Sequence, residues 1–350
     1  MEAGRSPAMR VQILAEADIA EIPCQYIQPP ENRPVIVGDS NENIPAIDLF
    51  GLDGEHRKSI RKAIGEACRE WGAFHVINHG VPTQLLDQMR SLSLCFFSDY
   101  PFQDKLKYAC DPSSAASEGY GSKMLVDKDS VLDWRDYFDH HTLPLSRRNP
   151  SRWPHYPPNY REIVGKYSDE MKVLAQKLLG LISESLGLPS CCIEDAIGDF
   201  YQNITISYYP PCPRPELTLG LQSHSDMGVI TLLIQDNVEG LQVFKDSQWV
   251  TVHPLSDAIV VILSDQTEII TNGKYKSAQH RAITNASRAR LSVATFHDPA
   301  KTVKISPISE LISKSCPPRY HEVNYADYVS SWYRKGPQGK RNIDALLINH

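Results

Sequence analysis

Between residues 204 and 296 the chain is cut into short runs rich in Ile, Val, Thr and Tyr, each closed by turn residues: 204–209, 229–234, 241–244, 249–252, 259–263, 280–283 and 291–296. Strand-length runs spaced this closely pair with one another in antiparallel fashion, so the expected fold is a β-sandwich or small barrel. No internal repeat and no low-complexity tract interrupts the segment.

Helical spacing dominates upstream. Ile60, Ala63, Ile64, Ala67, Cys68 and Trp71 recur on one face of a helix over 55–71, closed by Gly72. A strand is expected over 73–77, and another over 44–49. Pro82 opens a second helix carrying Leu85, Leu86, Met89 and Leu92. A third runs over 160–186 with Tyr167, Met171, Leu174, Leu178 and Leu181 inward, and Gly187 stops it. Pro23, Pro29, Pro30 and Pro34 make the first forty or so residues an extended arm laid on the domain. The organisation expected is one structural domain: an N-terminal extension (1–43), a helical and strand region (44–200), a β-roll core (201–300) and a C-terminal region covering the core (301–350).

Composition narrows the function classes. A net charge of -6 over 350 residues argues against a dedicated nucleic-acid binder. The longest apolar stretch, 258–263, suits a buried strand and is too short to cross a bilayer. The eight cysteines include no Cys-x-x-Cys pair, and the N-terminus has no signal-peptide run, so reduced thiols in a cytoplasmic protein are expected. A monomer with a small-molecule substrate, and with no nucleic-acid or membrane partner, fits these limits.

His224-Ser225-Asp226 carries the first chemistry. At a strand or its exit, residues i and i+2 share a side, so an imidazole and a carboxylate can converge on one point. His280, from another run, adds a second imidazole. Two histidines and one carboxylate leave positions open on a metal, as in non-haem iron oxygenases. Zinc hydrolases use similar sets, so the ligands alone do not choose the metal. Arg290 and Ser292 follow on one strand face. A guanidinium fork with a neighbouring hydroxyl suits the far carboxylate of a small dicarboxylate. His297-Asp298 ends a strand run before Pro299 and reads as structural. The histidines at 75, 79, 140, 141, 155 and 253 are read as having no acid at ligand spacing.

The chain resembles the plant 2-oxoglutarate- and Fe(II)-dependent dioxygenases of specialised and hormone metabolism. The resemblance runs from IPAIDL at 44–49 to about Pro318, through EWGAFHVINHGVP at 70–82, SYYPPCPRPELTLGLQSHSD at 207–226, NGKYKSAQHR at 272–281 and RARLSVATFHDP at 288–299. It implies a double-stranded β-helix (jelly-roll) core with N-terminal helices packed against it. It implies Fe(II) at His224, Asp226 and His280, and 2-oxoglutarate at Arg290 and Ser292 with help from Tyr209. The implied reaction uses O2, with ascorbate as reductant, to hydroxylate, O-demethylate or desaturate a small metabolite while 2-oxoglutarate becomes succinate and CO2.

Two positions depart from the family pattern. Ser207 stands where an Asn is usual, and Thr205 where many members carry a basic residue able to reach an acidic substrate. Candidates for the substrate pocket are Tyr120, Lys123, Met124, Leu125, Tyr137, Phe138, Thr205 and Phe296. Lys123 or Arg135 could supply a missing positive charge. Neutral aromatic or terpenoid-like compounds are expected over free acids. The competing readings are an Fe(II) oxidase of the same fold without 2-oxoglutarate, a ligand-binding sensor, and a metallohydrolase. The last suffers because Glu239 and Glu268 have no evident placement as a general base.

Overall fold

A computed structural model describes residues 10–17, 19, 21–34, 42–111, 118–122, 131–335 and 341–348. Twelve strands build its two main sheets: β1 (Ala46–Asp48), β2 (Ala73–Ile77), β3 (Gly119–Gly121), β4 (Asp136–Leu143), β5 (Tyr201–Tyr209), β6 (Leu221–His224), β7 (Ile230–Gln235), β8 (Leu241–Lys245), β9 (Gln248–Thr251), β10 (Ile259–Leu263), β11 (His280–Ala282) and β12 (Arg290–Asp298). The larger sheet has the order β1-β2-β10-β7-β12-β5-β4-β3, and the smaller β6-β11-β8-β9. Apart from the parallel β1–β2 pair, the ladders are antiparallel.

Side-chain alternation explains how the large sheet serves two neighbours. On β7, Ile230, Leu232 and Ile234 join the core under the helices, while Leu233 faces the small sheet. On β10, Ile259, Val261 and Leu263 take the first face and Val260 and Ile262 the second. A strand buried on both faces must read as a continuous apolar run, as 259–263 does.

The helix Tyr160–Ser185 lies along the outer face with helices Arg57–Glu70 and Thr83–Ser98 beside it. Its stripe of Tyr167, Met171, Leu174, Leu178 and Ile182 is buried against the sheet. Emptying one such position, as in Leu178→Ala, costs about 2–5 kcal/mol. Gly72 turns helix into β2 with φ +65, and a side chain there would strike the Lys276 carbonyl.

Three features differ from the sequence reading. Residues 11–16 form a short helix whose Val11 and Gln12 backbone N–H groups donate to the buried Asp136 carboxylate, so the arm is only partly extended. Strand β4 went unread because DYFDHHTL is polar at alternate and adjacent positions. Its buried polar groups are satisfied individually: His140 meets the Ile204 carbonyl and the Tyr160 hydroxyl, each at 2.9 Å, and Thr142 donates to Gln202. The C-terminal helix Tyr325–Lys335 turns Tyr325, Tyr328, Val329 and Trp332 inward at helical spacing.

No helix among the described residues is long and apolar enough to cross a membrane.

Candidate active site

Between the two sheets lies a cavity of about 170 Å³. A buried water needs only about 10–15 Å³ by the same kind of measure, so there is room for a cosubstrate and part of a second molecule. The strand register lays out its floor. Along β5, Tyr209, Ser207, Thr205, Asn203 and Tyr201 point inward; β12 opposes them with Arg290, Ser292, Ala294, Phe296 and Asp298, in that order. The row extends about 26 Å at ~3.3 Å per residue. The alternate residues of β12, Leu291, Val293 and His297, are buried on the helix side. His297 bonds Gln202 there, and burial pushes its imidazole down to about 3, consistent with a structural role.

The metal-ligand candidates converge from three segments. His224 closes β6, His280 opens β11 directly opposite it, and Asp226 follows in the loop after β6. One donor atom from each lies within 4.8 Å of the others, the only such grouping of histidines, cysteines and acids found among the described residues. Asp226 Oδ1 is 3.4 Å from His224 Nε2 and 3.7 Å from His280 Nε2. The remaining atoms are held by protein. Thr231 donates to Asp226 Oδ2 at 2.6 Å, and the Nδ1 atoms of His224 and His280 face the Gln222 and Ala278 carbonyls at 2.8 and 3.1 Å. These bonds leave Nε2 of both rings turned to the common point, as metal-bound imidazoles require. Asp265, at the start of helix Asp265–Ile270, donates its backbone N–H to the Asp226 carbonyl. The C-terminal helix is tied to the same residue by the Tyr328 hydroxyl.

Electrostatics suit a cation. Burial alone would raise the Asp226 carboxyl, but the His280 and His224 imidazoles and the Thr231 hydroxyl bring it down to about 2. Burial and the neighbouring His224 ring lower His280 to about 4. An ionised carboxylate beside neutral imidazole nitrogen is the donor chemistry a divalent transition ion takes.

At the inner end, Arg290 lies against the Tyr209 ring (5.1 Å) and donates to Gln235 Oε1 at 2.8 Å. Glycine at 240 is required here, since a β-carbon would collide with the Arg290 side chain. Arg290 Nε and Gln235 Nε2 are buried with no partner among the described residues. Two orphaned donors beside Ser292 fit an incoming carboxylate, because burying them unpaired is costly.

The outer end departs from the sequence reading in several respects. Thr205 and Phe296 line the cavity, and so does Arg135. Tyr120 and Phe138 do not. They are register partners on the helix-facing side of β3 and β4 and pack on Phe96, so both belong to the core. Tyr137 shares the inward parity of Asp139 but is shielded, with Arg135 over its ring and the Cys110 thiol at its hydroxyl. Lys123, Met124 and Leu125 lie outside the described residues. His141 does have an acid at ligand spacing: Asp139 is 3.6 Å from its Nε2. The sequence reading also missed Asp139, Asn203 and Asp298 on the floor, and Tyr325, Val329, Trp332 and Tyr333 of the C-terminal helix above it. The helical spacing of those last residues was the available signal.

Residues 200–299 match the profile of the 2OG-Fe(II) oxygenase superfamily, and residues 44–159 match that of the non-haem dioxygenase N-terminal region in morphine synthesis. Jasmonate-induced oxygenase 4 of Arabidopsis thaliana is 39% identical, with 98% of each chain covered. DMR6-LIKE OXYGENASE 1 of the same plant is 40% identical, with 85% of each chain covered. Among solved structures, JOX2 in complex with 2OG, Fe and JA superposes with a TM-score of 0.91 at 39% identity, covering 98% of this chain and 99% of that one. The rice dioxygenase for auxin oxidation gives 0.74 at 26% identity, covering 87% and 100%.

Proposed function

The chain belongs to the 2OG-Fe(II) oxygenase superfamily, and from that membership we propose that it oxidises a C–H bond of a small, uncharged, hydroxyl-bearing plant metabolite held in the outer half of the cavity. It is an enzyme of the plant hormone and specialised-metabolism type, dependent on Fe(II), 2-oxoglutarate and O2, with ascorbate as reductant. In our reading His224, Asp226 and His280 hold the iron, while Arg290, Ser292 and Tyr209 hold the cosubstrate.

The iron, once bound, supplies the oxidising chemistry, coupled to conversion of 2-oxoglutarate to succinate and CO2. The chain's residues do the rest. Thr231 and the Gln222 and Ala278 carbonyls keep three donor atoms aimed at one point. Arg290 clamps a carboxylate at the inner end. Phe296 and Trp332 bound the substrate space and exclude water.

The observation that supports the substrate reading best is Thr205, whose hydroxyl donates to Asp139 at 2.8 Å. A carboxylate stands across the ladder from the position where an acid-binding member would offer a cation. A free-acid substrate there would face a like charge, whereas a hydroxyl would find an acceptor. The rim cations Arg147 and Lys301 both lie over the Tyr201 ring. JA is bound in the related JOX2 complex, so a compound of that size is the starting point for a screen. The test is release of labelled CO2 from 2-oxoglutarate by the Fe(II)-loaded enzyme across acids and their methyl esters. Stimulation by esters or alcohols supports the reading; stimulation confined to free acids overturns it.

A further inference from the structure

The short helix Asp265–Ile270 stands outside the cavity lining, yet its N-terminal end holds the loop that carries Asp226. Four consecutive carbonyls, from Asp226 to Val229, accept hydrogen bonds from residues 264–267. The Asp265 backbone N–H donates to the Asp226 carbonyl at 2.9 Å, that of Gln266 to Gly228 at 2.9 Å and that of Ser264 to Val229 at 3.1 Å. The Gln266 side-chain amide reaches the Met227 carbonyl at 2.9 Å, and the Thr267 hydroxyl reaches that of Val229 at 2.6 Å. Behind the loop, a β-carbon at Gly228 would collide with the Asp298 carboxyl. A loop bonded at every carbonyl, with no room behind it, moves only with the helix that grips it.

The same helix also serves His280. Glu268 Oε2 accepts from the Ser277 backbone N–H at 2.7 Å, one residue before the Ala278 carbonyl that orients His280 Nδ1. The C-terminal region reaches both acids of this helix with a tyrosine. Tyr328 donates to Asp265 Oδ2 at 2.6 Å, and Tyr320 to Glu268 Oε1 at 2.7 Å. All four side chains are buried, and none is among those lining the cavity. Val329, Trp332 and Tyr333, on the same helix as Tyr328, do line it. One face of the helix Tyr325–Lys335 therefore bounds the substrate space, while Tyr328 bonds it to the support of the metal site.

We propose that Tyr328 and Tyr320 are positioning residues that couple metal loading to closure of the substrate space. The inference rests on the reading of His224, Asp226 and His280 as the metal ligands. Ordering of the Asp226 loop passes to Asp265 through backbone hydrogen bonds, and from the Asp265 carboxyl to the Tyr328 hydroxyl. The helix that carries Trp332 then seats over the cavity. Because such coupling is reciprocal, seating that helix also holds Asp226 in the geometry the metal takes. The two tyrosines touch neither metal nor substrate and act only through the helix between them. A site built this way closes in step with its loading, when exclusion of water begins to matter.

Hydrogen exchange read by mass spectrometry tests this on the full chain, metal-free and with Fe(II) under anaerobic conditions. In the wild type, Fe(II) should slow exchange across 224–229 and also, about fivefold, across 325–335, the size of a modest coupling. In Tyr328→Phe, Fe(II) should still slow 224–229, while its effect on 325–335 falls below about twofold. A merely structural hydroxyl would leave that ratio unchanged, because its loss speeds exchange by the same factor with and without metal. Tyr320→Phe cuts only the second tie and should roughly halve the effect. It carries the test alone if Tyr328→Phe does not fold, as judged by circular dichroism. Fe(II) that binds the wild type without slowing 325–335, or an undiminished effect in the folded variant, overturns the proposal and leaves the metal site standing. Anaerobic calorimetry with Fe(II) separates the two readings. No binding by the wild type, or equal binding by Asp226→Ala, means that the metal reading fails and this inference with it.

Discussion

Thr205 and Asp139 face each other across the β4–β5 ladder as register partners, and the threonine hydroxyl donates to the carboxylate at 2.8 Å. The bond occupies one oxygen of Asp139 and leaves the other near His141 and the cavity. A cationic side chain at 205 would make an acid-reading floor; in the function proposed above this pair makes one that reads hydrogen-bond donors. Asp139→Asn should therefore narrow the preference for an ester over its free acid, about tenfold in the wild type, by at least threefold. The ratio of kcat/KM values for the two compounds measures it. An unchanged ratio would mean that the substrate does not reach Asp139.

His224→Ala, Asp226→Ala and His280→Ala should each abolish turnover with saturating Fe(II) while leaving a folded protein. Each removes one of three converging donors and none belongs to the hydrophobic core. Substantial turnover in the Asp226→Ala protein would show that the metal is held elsewhere.

Arg290→Lys keeps the charge but loses the forked donors, one of which now bonds Gln235. The KM for 2-oxoglutarate should rise about tenfold, with a smaller change in kcat. Initial rates over a cosubstrate series at fixed substrate decide it.

Acid stability should depend on histidines on the helix side of the large sheet. Burial lowers His140 to about 4 and His297 to about 3. Because the folded values lie below those of the unfolded chain, stability is complete above about pH 6.5 and falls as pH drops toward the folded values. Each contributes a slope of about 1.4 kcal/mol per pH unit in that window. His297→Gln should flatten the dependence between pH 6.5 and 4, read from urea midpoints. An unchanged slope would mean that His297 already titrates normally in the folded protein.

Legibility followed register. The His-x-Asp, His and Arg-x-Ser elements were visible because each keeps its spacing within one run of sequence, and strand parity alone puts Phe296 on the Arg290 side. Tyr120 and Phe138 misled because aromatic character says nothing about which face a strand presents. Only the pairing of β3 with β4 and of β4 with β5 shows that they point at the helices. Strand β4 was hidden because its buried polar residues are satisfied by partners 20 to 64 residues away, which no local pattern records. Trp332 and Tyr333 sit over the cavity because the C-terminal helix folds back onto it, a tertiary fact that spacing could suggest but not locate.

The floor of the cavity also limits how such an enzyme can diversify. β5 is hydrogen-bonded on both sides, to β4 and β12, along nearly its whole length. A single inserted residue in β5 or β12 would turn every inward side chain beyond it toward the helices, sending the arginine anchor or the Thr205 row into the hydrophobic layer. New specificities in this architecture must therefore arise by point exchange at alternate floor positions. Changes of length are confined to segments outside the ladder, such as the helix Tyr325–Lys335 that lines the cavity. The inner half of the cavity is frozen in step with its own backbone, and novelty is left to that helix.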